Sequence, residues 1–181
     1  MAIMNGSGGF LHPDEIDKQL NINPRMKIAD FGCGSGYFAL SMAKRIGHEG
    51  RVYAFDILET ALESVRSRAK IQGLFNIETL RCNLEDDKST GLGDSSVDLV
   101  LLANILFQSE KKTDIIKEAA RILKLAGIMA IIDWRPDQPL GPAKEFVIPL
   151  GAIKQLAEDE GLRFKRELAV DKYHWGMIFE K

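Results

Sequence analysis

Strand-length apolar runs alternate with helical segments along most of this chain, and that alternation restricts its fold more than any other feature. The runs are Lys27–Phe31, Arg51–Phe55, Ile77–Cys82, Val97–Ala103 and Ile128–Ile132. Several are apolar on both faces, as parallel strands covered by helices must be. Between them, Ala39, Met42, Ala43 and Ile46 share one helical face, as do Leu58, Leu62, Val65 and Ala69. Ile115, Ala119 and Ile122 repeat the pattern, followed by Leu150, Ile153 and Ala157. Gly47, Gly73, Gly127 and Gly161 each follow a helical segment and precede a strand, which predicts four helix C-caps. Strand–helix alternation implies right-handed crossovers and a parallel sheet. The last two extended stretches, Leu162–Val170 and Trp175–Glu180, are separated only by Asp171–His174, too little for a helix. A hairpin must join them, so at least one runs antiparallel. The predicted class is therefore α/β: a doubly wound, seven-stranded, mostly parallel sheet with helices on both faces and an antiparallel C-terminal hairpin.

A chain of 181 residues suits one domain, read here as spanning residues 1–181. Its net charge of −2 advertises no nucleic-acid or anionic-membrane partner. The only cysteines, Cys33 and Cys82, form no CxxC pair, which argues against structural zinc or a disulfide framework. Met1–Phe10 lacks a basic segment followed by an apolar run and does not read as a signal peptide. No apolar stretch is long enough to span a membrane, so a cytoplasmic location is expected. The loop Arg135–Pro149 carries four prolines and reads equally as a lid over a site or as a stiffened surface connection.

The most informative stretch for chemistry is Ile28-Ala29-Asp30-Phe31-Gly32-Cys33-Gly34-Ser35-Gly36. A buried strand enters a loop of alternating glycines and a helix follows at once, which suits the close approach of a ligand to the main chain. The next strand ends at Asp56, twenty positions beyond Gly36, where a carboxylate can accept hydrogen bonds from both hydroxyls of an adenosine ribose. Glycine loops also serve ordinary turns, and an aspartate after a strand also caps helices; together they point to an adenosine cofactor. A dinucleotide is disfavoured because the third glycine comes one residue early and Asp30 would repel a pyrophosphate. The same carboxylate suits a cationic amino group.

These residues resemble the first motifs of the class I S-adenosylmethionine-dependent methyltransferases, a Rossmann-like family. The match runs from about Met26 to Lys181 and places Asp30, Gly32, Cys33, Gly34 and Gly36 in the cofactor loop. It places Asp56 and Ile57 at the ribose, and Asn83 and Leu84 beside the adenine. Asn83 departs from the acid common there, although an amide can still pair with the adenine amino group. Val97–Asn104 resembles the fourth motif and puts Asn104 near the methionine end. Within the family the chain looks like the compact quinone-biosynthesis and arsenite-type enzymes; two cysteines, one inside the cofactor loop, argue against arsenite.

The resemblance implies in-line transfer of a methyl group from S-adenosylmethionine to a small-molecule acceptor, beyond the C-terminal ends of the central strands. Asp133, at the end of the fifth strand, and His174, in the final hairpin, are the candidate catalytic groups; the bland alternatives are a loop cap and a solvated hairpin residue. Phe10 and His12 are candidates for lining an acceptor pocket, and Leu106, Phe107 and Gln108 for its wall. No metal is expected. A macromolecular acceptor and a non-catalytic cofactor-binding module stay open as alternatives, and the acceptor atom and oligomeric state are not encoded in any of these motifs.

Overall fold

The computed structural model describes residues 11–136 and 141–181. The strands are β1 (Lys27–Phe31), β2 (Arg51–Asp56), β3 (Ile77–Arg81), β4 (Val97–Ala103), β5 (Leu123–Trp134), β6 (Arg163–Glu167) and β7 (His174–Glu180). They form one sheet in the order β3-β2-β1-β4-β5-β7-β6. The first five are parallel, whereas β7 runs antiparallel to both β5 and β6. The helices are α1 (Pro13–Gln19), α2 (Tyr37–Ile46), α3 (Glu59–Ile71), α4 (Lys112–Ile122) and α5 (Leu150–Asp159).

Side chains of a strand alternate between the two faces of its sheet, and the two halves of the core follow that alternation. Ile28, Val52, Ala54, Leu99 and Leu101 pack with α1, α2 and α3 through residues such as Leu20, Phe38, Met42 and Leu62. Ala29, Phe31, Phe55, Val100 and Leu102 face the other way, onto α4 and α5 through Ile115, Ala119 and Ile153. Phe31 and Phe55 meet edge to face at 5.5 Å, and fully burying a side chain of this size contributes about 1.5–3 kcal/mol. Asp30, two residues beyond Ile28, shares the face covered by α1–α3, and this places a carboxylate in an apolar half-core.

Three of the four expected cap glycines stand where predicted. Gly47, Gly73 and Gly161 follow α2, α3 and α5 with φ of 71°, 66° and 79°. Gly127 does not cap a helix. The chain passes from α4 straight into β5 at Leu123, and Ala126 takes the left-handed turn at φ 60°. Lys181 explains why no glycine is needed: its Nζ donates to the carbonyls of Ala120 and Leu123 at 2.7 and 2.8 Å, satisfying groups that helix ends leave orphaned. Between Leu123 and Ile128 the strand bulges outward while its partner advances only from Val97 to Leu99.

Strand order reverses direction at β1. The chain moves outward from β1 to β2 and β3, then returns to β4 on the other side, so the loops after β1 and β4 diverge. A crevice opens beyond their C-terminal ends, the usual location of ligand sites in doubly wound sheets.

Candidate active site

The loop after β1 is built to stand still. Cys33 N–H donates to Phe55 O at 2.9 Å, and Gly34 N–H donates to Asp56 Oδ2 at the same distance, so the tip of β2 holds the loop from the side. Gly32, Gly34 and Gly36 all have positive φ, at 70°, 51° and 83°. They serve different ends. A Cβ on Gly32 would lie 2.6 Å from Ile105, and one on Gly36 would lie 2.7 Å from Val65, so these two glycines admit neighbouring side chains. A Cβ on Gly34 would meet none of the described residues within 4 Å.

Gly34 lines a cavity of about 550 Å³, of ordinary size for a small-ligand pocket. Nine of the ten expected cofactor residues line it: Asp30, Gly32, Cys33, Gly34, Asp56, Ile57, Asn83, Leu84 and Asn104. Gly36 does not, since it sits one step inside, at the N-cap of α2. Asp56 accepts N–H groups from Gly34 and Leu58, each at 2.9 Å, through separate oxygens. A carboxylate has about four acceptor sites, so each oxygen keeps one free for a hydroxyl. Asn83 forms a local turn, accepting from Glu85 N–H and donating to Asp86.

Asp30 is the electrostatic centre. It is 2% exposed, and its Oδ2 is buried with no hydrogen-bond partner among the described residues. Burial pushes its carboxyl up to about 7, helped by the charges of Asp17 on α1 and of Asp56. Asp17 is itself buried, which raises it to about 6, opposed in part by Ser41 and Arg45. The sequence had given no reason to expect a second buried carboxylate behind the first. A backbone hydrogen bond at Ala39 opposes the shift of Asp30 in part, and an acid with one unpartnered oxygen at a cavity wall can seat a cation, because a buried charge is costly until it is paired.

Asp133 and His174 do not line this cavity. Asp133 is 2% exposed and accepts N–H groups from Trp134 at 2.8 Å and Phe107 at 3.1 Å, anchoring the 3-10 turn Leu106–Gln108; burial raises its carboxyl to about 6. His174, far from being a solvated hairpin residue, is fully buried as the first residue of β7. His12 is exposed at the N-cap of α1 and lines a separate cavity with Asp14, Tyr37 and Arg68. Phe10 and residues 137–140 of the proline loop lie outside the described residues. The far wall includes Glu85, Ile105, Gln108, Ser109 and Ile115. Of these only Gln108 was legible, as a polar residue just past a strand. Glu85 is fastened by Ser109 Oγ at 2.6 Å, a contact across the crevice that no local pattern encodes.

The glycine loop, the ribose-type carboxylate and the cation seat converge in one crevice, and a family model described as "Methyltransferase domain" matches residues 22–172. The chain belongs to the methyltransferase-domain family. A S-adenosylmethionine-dependent methyltransferase from Aquifex aeolicus superposes with a TM-score of 0.84 and 27% identity, covering 94% of this chain and 89% of that one. A ubiquinone/menaquinone biosynthesis C-methyltransferase of Bordetella avium is 32% identical over 146 residues, 77% of this chain and 55% of its own length. A highly reducing polyketide synthase of Penicillium polonicum is 35% identical over 121 residues, 65% of this chain and 5% of the synthase. The chain thus spans about half the quinone relative and a small fraction of the synthase.

The residues of this crevice fit S-adenosylmethionine. The cofactor carries a cationic amino group, which the orphaned Asp30 oxygen can pair, and a ribose diol, which the free acceptor sites of Asp56 can take. Gly34 leaves the main chain open between them. Burial pushes the Cys33 and Cys82 thiols up, Cys82 to about 11, so neither is a ready thiolate nucleophile at neutral pH. Among the described residues no cluster of His, Cys, Asp and Glu is arranged to hold a metal ion, and no helix is long and apolar enough to cross a membrane.

Proposed function

We propose that this protein transfers the methyl group of S-adenosylmethionine to a small-molecule acceptor. The observation that carries the reading is the lining of the crevice. Its cofactor half, at Asp30, Gly34 and Asp56, continues into a wall where the apolar Ile105 and Ile115 stand beside Gln108 and Ser109. The names of two relatives point the same way, one a quinone-biosynthesis C-methyltransferase and the other a polyketide synthase.

When bound, S-adenosylmethionine supplies a methyl carbon already activated by its sulfonium. The chain's own residues position and desolvate. Asp30 pairs the amino group, Asp56 holds the diol, and Asn83 and Leu84 flank the base. Ala103 and Ile105, apolar residues of the same lining, would keep water from the bound cofactor, and a dry, well-aligned pair of reactants gains most. Asp133 acts from behind the wall, by fixing the turn that carries Gln108. The two free cysteines agree with the reducing cytoplasm as the location.

Methyl-labelled cofactor, incubated with the protein and a cell lysate split by ultrafiltration, tests the acceptor class. Label in a low-mass product distinct from the cofactor supports the reading. Label confined to protein or nucleic acid refutes it in favour of a macromolecular acceptor, and cofactor binding with no labelled product in either fraction favours a sensor module.

A further inference from the structure

Asn104 joins the cofactor crevice to a buried polar chain that ends in the last hairpin. Its main chain is left-handed, at φ 56°, and its N–H donates to Ile132 O at 2.9 Å, so the residue is fixed at the tip of β4. Asp171 is locked in turn by the N–H groups of Tyr173 and His174, at 2.8 and 3.0 Å. Its two oxygens lie 2.8 and 3.0 Å from His174 Nδ1. An ionised carboxylate can only accept, so Nδ1 carries a proton. Burial holds His174 below its ordinary pKa despite Asp171, which leaves the ring neutral and Nε2 with a lone pair.

The group facing that lone pair, at 3.2 Å, is the side-chain amide of Asn104. Only its NH₂ end can satisfy Nε2, and this choice settles which way the amide points. The indole of Trp134, 4.2 Å from the imidazole, keeps the ring from swinging away. With Nδ2 committed to His174, Asn104 Oδ1 is buried and has no hydrogen-bond partner among the described residues. Buried acceptors are rarely left that way in a finished site. Asn104 lines the cofactor cavity, so a donor on the bound cofactor is the group that would complete it.

We propose that His174 and Asp171 are positioning residues, which hold the amide of Asn104 so that its oxygen accepts a hydrogen bond from bound S-adenosylmethionine or its product. His174 takes no proton from the acceptor in this arrangement, because both ring nitrogens are engaged and the ring lies behind the cavity wall. The inference rests on the cofactor occupying this crevice.

The experiment compares His174→Gln with His174→Asn in the full chain, using S-adenosylhomocysteine and calorimetry. A glutamine reaches the Nε2 position and can accept from Asn104, whereas asparagine reaches only Nδ1. We expect His174→Gln to bind within about twofold of wild type and His174→Asn about five- to tenfold more weakly, as loss of one hydrogen bond implies. The difference should vanish in an Asn104→Ala background, which a merely structural role of His174 would not produce. Equal binding by the two variants, or a difference that survives Asn104→Ala, overturns the proposal. If the variants fold poorly, nitrogen-15 shifts of the wild-type imidazoles decide the matter, since the sequence holds only three histidines. A protonated Nδ1 and a bare Nε2 are expected at His174; the opposite tautomer overturns the proposal. Wild-type protein that binds no S-adenosylhomocysteine overturns the cofactor reading itself, an outcome distinct from an absent Gln/Asn difference.

Discussion

Replacing Gly34 with alanine separates ligand binding from folding more cleanly than any other change in the loop. The backbone there is left-handed at φ 51°, and a new Cβ would meet no atom of the described residues within 4 Å. The folding cost is therefore the strain of placing an L side chain in that region, about 1–2 kcal/mol. In a domain of this size each kcal/mol lowers Tm by roughly 2–4 °C. At Gly36 the strain is the same, but the Cβ would also lie 2.7 Å from Val65 Cγ2 and 3.3 Å from two further Val65 carbons. Overpacking adds about 1–3 kcal/mol, so Gly36→Ala should lose about twice as much stability as Gly34→Ala. Cofactor binding should rank in the opposite order. The methyl group of Gly34→Ala occupies the space through which the ligand approaches the main chain, and displacing a ligand by even a fraction of an ångström forfeits contacts to Asp30 and Asp56 together. We expect S-adenosylhomocysteine to raise the Tm of wild type and of folded Gly36→Ala, and to raise that of Gly34→Ala hardly at all, with Kd weakened at least about tenfold, or 1.4 kcal/mol. Thermal melting with and without ligand, followed by calorimetry, measures both. A Gly34→Ala protein that binds as tightly as wild type would refute the assignment of this cavity to the cofactor.

Three further outcomes follow from the same geometry. Asp56→Ala should weaken S-adenosylhomocysteine binding by about 2 kcal/mol, roughly thirtyfold, because charge-assisted hydrogen bonds contribute about 1.5–3 kcal/mol each and two to one diol are not additive; an unchanged Kd in calorimetry would reduce Asp56 to an anchor for the Gly34 and Leu58 amides. Asp30, Asp17 and Asp133 are raised by burial to about 7, 6 and 6 from an ordinary 3.8, so the stability they contribute is full at acid pH and lost as pH rises through those values. Melting of the ligand-free protein should therefore show stability increasing as pH falls from about 7.5 to 5, by about 1.36 kcal/mol per pH unit for each acid and so on the order of 5 kcal/mol in all, before carboxylates held low by partners, such as Glu180 beside Lys165 and Arg163, reverse the trend; a steady loss over that window would contradict the burial of these acids. Glu118→Ala should cost about 2–3 kcal/mol in denaturant unfolding while leaving S-adenosylhomocysteine affinity unchanged, because the 4%-exposed carboxylate lies outside the cofactor cavity and accepts from Thr90 and Arg121, and without it the guanidinium keeps Asp94, the Leu92 carbonyl and a long contact to Thr90.

What could be read from the sequence, and what could not, divides along a physical line. Patterns of period 2 and 3.6 belong to single elements, and the strands at Lys27–Phe31 and Val97–Ala103 were placed to the residue because their apolar runs end in polar or glycine punctuation. The sequence pattern starts β5 only at Ile128, since Lys124-Leu125-Ala126-Gly127 reads as a helix end; the structure instead begins the strand at Leu123 and closes the helix with Lys181, a residue 58 positions away. Cross-chain partners of this kind leave no local signature. The site divides the same way. The residues near Gly34 and Asp56 were legible because glycine spacing and the strand-tip acid are properties of one βαβ unit. Asp17 was not, although it sits beside Ile16 and three residues before Leu20, both buried. An acid on the apolar side of a short helix is normally a solvated flank. It becomes a buried charge here only because α1 packs across α2, where Ser41 and Arg45 stand one turn apart, and its effect on Asp30 depends on that packing. The distinction among the three glycines is of the same origin. Spacing marks all three alike, whereas Ile105 and Val65 crowd two of them and a Cβ on Gly34 would meet no described residue within 4 Å.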